Sequence, residues 1–278
     1  MLVSVISMKG SPGVTTFAVA LAARWPAPAR PIVVEADPSG GDIAMRFSLQ
    51  SSPGLVSLAA AARREADSGL LWRHAQALPG GLPVVAAPPD ADRARGALLA
   101  LAPSSHSHTG VLRNAANAPD TVVVADCGRI DHATAAMGIV RESDVLVLLT
   151  RAHADDLAHV ARRLPVVGRW TPRPVLLLVG EGYSPTEVGR ELGVLPLGRV
   201  PHDEHGAAVL RGGRARLRWT RSGPSHSALG KCAHRIATFL APTSPSLPPR
   251  IPVLPPQMPP PVAMRPVDEH AVRGGRTS

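Results

Sequence analysis

The sequence predicts an α/β domain built on a doubly wound, mostly parallel sheet flanked by helices. Seven short apolar runs recur along the first 200 residues, Ala-rich stretches of helical length alternate with them, and the first run passes through a glycine loop into one such stretch. The runs are 2–7, 31–36, 82–87, 121–126, 144–150, 174–180 and 195–200. They are apolar without polar alternation, as strands covered on both faces of a parallel sheet must be. The segments between them, including 15–25, 55–66, 91–101, 132–142 and 154–164, suit crossover helices. Right-handed crossovers then give the doubly wound order.

Composition narrows the class further. The chain has 278 residues, enough for one large α/β domain with a proper core. Aromatic residues are only 3%, so Ala, Val and Leu must build that core. Cys127 and Cys232 suit a reducing compartment and make no disulfide framework. No apolar run reaches the roughly 18 residues of a membrane helix, and the N-terminus has no signal-peptide pattern. The expected location is the cytoplasm, with a peripheral position on membrane or nucleoid left open.

The net charge of +9 is unevenly placed. Residues 1–205 carry nineteen acids and nineteen basic residues, whereas 206–267 carry nine Lys or Arg and no acid. From about residue 241 the alternating pattern ends, and eleven prolines fall within the last 38 residues. Proline fixes φ and removes a donor, so 241–278 is expected to be a disordered, polyproline-II-like tail after a domain of residues 1–240. Its PxxP spacings suit either a solvated tail or a docking strip for a partner that binds polyproline II.

The loop "KGSPGVTT" follows the first strand and opens the first helix. Strand, glycine loop, helix is the context of a phosphate-binding site, the P-loop NTPase arrangement. Gly10 and Gly13 let backbone N–H groups turn toward a phosphate, and the helix N-terminus adds its positive dipole end. Ser11 stands between them, Thr15 offers a hydroxyl for Mg²⁺, and Thr16 supports it. Lys9, Gly10, Gly13, Thr15 and Thr16 resemble the deviant Walker A loop, KGGxGKTT, of the ParA/MinD superfamily. The resemblance implies that Lys9 reaches the phosphates of a partner subunit in a nucleotide-sandwich dimer. It also implies that a lysine at position 14 would contact the β- and γ-phosphates in its own subunit. Val14 stands there instead.

Further motifs follow in the order of that superfamily. "VVEADPSGGDIAMRF" resembles the acidic segment after the second strand in the CpaE/TadZ branch, with Asp37, Pro38, Gly41, Asp42 and Ala44 matching. Glu35 replaces the family's first acid, which positions the attacking water. "TVVVADCG" resembles a Walker B strand ending in Asp126, which would hold Mg²⁺ through water beside Thr15 and Asp37. "LGRVPHDEH" resembles a late turn of the family, and Gly180 and Glu181 stand where an adenine-reading Asn is often found. The resemblance covers roughly residues 1–240.

A lysine on a shielded phosphate contributes roughly 1.5–3 kcal/mol, and a lost transition-state contact costs about 10²–10³ in rate. The expected cofactors are therefore ATP and Mg²⁺, weakly bound, with hydrolysis very slow or absent. Arg129 and Arg151 follow the fourth and fifth runs, as ordinary surface arginines or as substitute cations. The implied role is that of a homodimeric positioning protein for secretion, pilus or chromosome-segregation machinery. An active ATP-driven switch with Lys9 acting across the dimer stays open. So does a nucleotide-free adaptor.

The segment 211–221 holds Arg211, Arg214, Arg216, Arg218 and Arg221 around Trp219. It suits a solvated face, nonspecific DNA contact, or an anionic membrane surface. "HDEH" (202–205) and "SSHSH" (104–108) read as polar turns rather than Zn²⁺ sites, and Cys127 as an inert core thiol.

Overall fold

The computed structural model describes residues 1–65, 67–103, 109–210 and 224–241. The arginine segment 211–221, the proline-rich tail and the "SSHSH" loop lie outside the described residues.

The eight strands β1 (Leu2–Ser7), β2 (Arg30–Glu35), β3 (Gln76–Ala77), β4 (Pro83–Val85), β5 (Thr121–Arg129), β6 (Val145–Ala152), β7 (Arg173–Gly182) and β8 (Gly198–Val200) form one sheet in the order β3-β4-β2-β5-β1-β6-β7-β8. Every pairing is parallel except that of the short β3 with β4. The helices of the compact unit Met1–Ala241 are α1 (Val14–Ala23), α2 (Ile43–Arg46), α3 (Leu55–Ala62), α4 (Leu70–Arg73), α5 (Ala91–Leu101), α6 (Val111–Ala116), α7 (Met137–Glu142), α8 (Ala154–Val167), α9 (Pro185–Leu192), α10 (Glu204–Val209) and α11 (Ala228–Leu240).

The strands lack polar alternation because both their faces are covered. Leu2, Ile6, Ile32, Val34, Val123 and Leu146 enter one apolar layer, which includes residues of α3, α5, α6 and α8. Their neighbours Val3, Val5, Val33, Val124 and Val147 enter the other, which includes α1 and α11. A period of two thus sends successive residues to opposite cores. At one buried exception, Ser4 hydrogen-bonds Ser143 at 2.6 Å.

Several expected boundaries move. The helix expected over 132–142 is shortened to α7, because Asp131 nucleates a turn through its side chain, accepting the Ala133 N–H at 2.9 Å. The helix expected over 55–66 ends at Ala62. The helix expected over 154–164 runs on through Pro165 to Val167, since a proline in the last turn forfeits one bond only, and the Gly168 N–H still reaches the Leu164 carbonyl at 3.0 Å. The strand expected to stop at Asp126 continues to Arg129 past a register shift opposite β1. Helix α9, not among the expected helices, opens on "SPTE", in which Ser184 and Glu187 cap each other with Pro185 at the first turn.

Candidate nucleotide site

The site lies at the carboxyl ends of the parallel strands, where β1, β2, β5, β6 and β7 release their loops. Gly10 (φ +66°) and Gly13 (φ +92°) both take the left-handed conformation that glycine tolerates without steric cost. Gly13 is the N-cap of α1 and offers no side-chain cap, so among the described residues the helix's first N–H groups have no capping side chain. Those donors are left for an anion. Thr15 and Thr16 are half-buried on the first turn. Val14 is only 6% exposed and packs in the apolar layer with Phe17 and Ala18, so this position lends the loop a backbone N–H and no cation. Lys9 is tied to its own chain by a 3.4 Å ion pair with Asp155, in the first turn of α8.

Three carboxylates lie behind the loop, and the charges of Glu35 and Asp37 act on Asp126. Asp126, on β5, is fully buried; its Oδ1 accepts the Gly128 N–H at 3.3 Å, and its Oδ2 has no hydrogen-bond partner among the described residues. Burial raises this carboxyl to about 7; Thr15 and the Gly128 N–H oppose the shift, while repulsion from Glu35 and Asp37 adds to it. Asp37 is half-buried, and burial raises it too, against a 2.7 Å bond from the Ser39 N–H to its Oδ1 and the opposing charge of Arg129. Its carboxylate fills the space in front of Gly128 (φ +60°), where any Cβ would collide with it.

Glu35 is disposed differently. Oε1 accepts the N–H groups of Asp42 (2.7 Å) and Ile43 (3.0 Å), and Oε2 accepts that of Ala87 (2.9 Å). Its carboxyl is raised by burial, against those three bonds. The side chain pins the start of α2 to the loop after β4, and Gly41 makes room for it. The extra methylene relative to Asp lets the carboxylate reach all three donors, which the sequence did not signal.

A cavity of ≈830 Å³ adjoins the loop, with Ser11, Gly13, Thr16, Arg151, Glu181 and His202 on its wall. Gly180 lines it as well. Asp203 of "HDEH" serves as a helix cap: it accepts the Gly206 N–H at 2.8 Å and the Leu229 N–H at 2.9 Å. Burial would raise its carboxyl, but those bonds outweigh it and hold the pKa below the usual range. Among the described residues no three His, Cys, Asp or Glu side chains converge into a metal-binding group. Cys127 is fully buried, and burial pushes its thiol well above the usual range, as an inert core thiol requires.

The residues fit a magnesium nucleotide. A buried carboxylate oxygen without a partner, beside a threonine at an uncapped helix N-terminus, lacks a cation and an anion respectively. Thr15, Asp37 and Asp126 would hold the metal, with the backbone N–H groups of Gly10, Ser11 and Gly13 to Thr16 on the phosphates. Among the described residues no helix is long and apolar enough to cross a membrane.

No family model and no curated protein matches this sequence. Solved structures do. A ParA family ATPase from Chlorobium tepidum is 18% identical with a TM-score of 0.65, over 86% of this chain and 99% of that one. The cell division ATPase MinD of Pyrococcus furiosus is 16% identical with a TM-score of 0.63, over 86% and 98%. The septum site-determining protein MinD of Pyrococcus horikoshii, complexed with Mg-ADP, is 14% identical with a TM-score of 0.52, over 86% and 97%. At these identities the likeness is one of architecture: this chain has the mostly parallel, helix-flanked fold of the ParA and MinD ATPases.

Proposed function

We propose that this protein is a nucleotide-binding positioning protein of the ParA/MinD kind, closest in its motifs to the CpaE/TadZ branch. It binds Mg·ATP weakly, turns it over very slowly, and dimerises to place secretion, pilus or segregation machinery. One observation carries the reading: the open N-terminus of α1 faces the same end of the sheet as Asp126, whose Oδ2 has no partner among the described residues, with Thr15 between them. Bound Mg²⁺ would supply charge neutralisation for the phosphates. The loop N–H groups orient the phosphates, and Thr15 and Asp126 hold the metal's place. Val14 leaves the loop without a cation of its own for the transition-state charge, so the loop favours holding over hydrolysis. A MinD structure of the same fold was solved complexed with Mg-ADP, which supports a nucleotide as the ligand.

Lys9 is the residue for the dimer. Its exposed pair with Asp155 is screened by solvent and exchanges readily for a phosphate across an interface. Light scattering behind size exclusion tests this: Mg·ATP should double the mass of the wild type, Lys9→Ala should stay monomeric, and its melting temperature without nucleotide should not change. A wild type that remains monomeric with Mg·ATP, or that hydrolyses it at ordinary enzymatic rates, would overturn the proposal.

A further inference from the structure

We infer that Arg151 replaces the missing lysine, binding the polyphosphate of the nucleotide from the end of β6 within the same subunit; this rests on the nucleotide site proposed above. Strand β6 lies beside β1, with Leu149 opposite Ser7, so the residues that end it flank the loop that β1 releases. The guanidinium reaches the loop itself: Nη1 of Arg151 is 3.9 Å from where a Cβ on Gly10 would sit. Arg151 also lines the cavity shared by Ser11, Gly13 and Thr16.

The other nearby cations are engaged elsewhere. Lys9 is paired with Asp155. Arg129 faces Asp37 and lines a different cavity, with Pro38 and Ser39. Arg151 is exposed, and among the described residues no carboxylate lies within ion-pair distance of it. Asp156 Oδ1 approaches the same point beside Gly10 at 3.9 Å without pairing with it. A planar guanidinium offers parallel donors to two phosphate oxygens, so one arginine from a neighbouring strand can serve where the loop's own side chain is apolar. The substitution at position 14 then relocates the cation rather than deleting it.

The test is a titration series with Mg·ATP and AMP on the wild type, Arg151→Ala and Arg151→Lys. The wild type should prefer Mg·ATP over AMP, and Arg151→Ala should weaken Mg·ATP at least tenfold while changing AMP less than threefold. Arg151→Lys should recover part of the loss, and Arg151→Ala should melt like the wild type without nucleotide. Equal Mg·ATP affinity in the wild type and Arg151→Ala would overturn the inference while leaving the nucleotide site standing. Equal losses for Mg·ATP and AMP would overturn it too, by marking a general disturbance of the cavity. A wild type that binds neither ligand would overturn the nucleotide site and the inference together.

Discussion

Asp126→Asn should stabilise the nucleotide-free protein above neutral pH and destabilise it by ~1–2 kcal/mol in acid. The wild-type carboxyl is fully buried, keeps one 3.3 Å bond to the Gly128 N–H, and has Oδ2 unpartnered. Its pKa rises from the model-compound 3.8 to about 7 in the folded protein. A folded-state pKa above the unfolded one means stability that is complete below pH ~4 and is lost as pH climbs through 7. Three pH units correspond to ~4 kcal/mol. An amide at this site leaves a donor without a partner, at a cost of ~1–3 kcal/mol that does not vary with pH. The variant's advantage should therefore shift in its favour by ~3–4 kcal/mol between pH 4 and pH 8, with a net gain of ~1–3 kcal/mol at pH 8. Urea unfolding of both proteins at half-unit pH steps, without Mg²⁺, measures the difference directly and cancels the other titrating groups. A difference constant to within about 0.5 kcal/mol across that range would refute the buried, cation-seeking carboxylate.

Three further outcomes follow from the same geometry. Val14→Lys exchanges a buried isopropyl group for a snorkelling ammonium, so it should cost ~1–2 kcal/mol without nucleotide yet bind Mg·ATP at least tenfold more tightly, as read by thermal melts and calorimetry. Gly128→Ala forces a side chain into a left-handed position already filled by the Asp37 carboxylate; a loss of ~1–3 kcal/mol in denaturant unfolding is expected, with weaker Mg²⁺-dependent binding. If the five arginines of 211–221 contact DNA phosphates, affinity should fall with a log–log salt slope of roughly −4.5, or about 500-fold between 50 and 200 mM salt. A flat salt profile, or capture only by vesicles containing anionic lipid, would assign the segment elsewhere.

The strands were legible because burial on both faces leaves an unbroken apolar signature, as "TVVVA" and "VLVLL" show in β5 and β6. The loop was legible because phosphate binding demands glycines at fixed spacing before a helix. Contacts between distant segments were not. Nothing local ties Lys9 to Asp155, or Arg151 to Gly10, until β6 is placed beside β1. Glu35 looked like a displaced catalytic acid, and only the fold brings Asp42, Ile43 and Ala87 to its two oxygens. The turn over residues 132–136 was read as helix because its alanines favour one, whereas Asp131 draws the backbone into a turn.

Calorimetric titration of Mg·ATP and Mg·ADP into the wild-type protein, paired with thermal melts at the same concentrations, tests the phosphate site most directly. One saturable site per chain should appear for both nucleotides, with a melting temperature that climbs as ligand is added. No heat and an unmoved melt at millimolar nucleotide would contradict it.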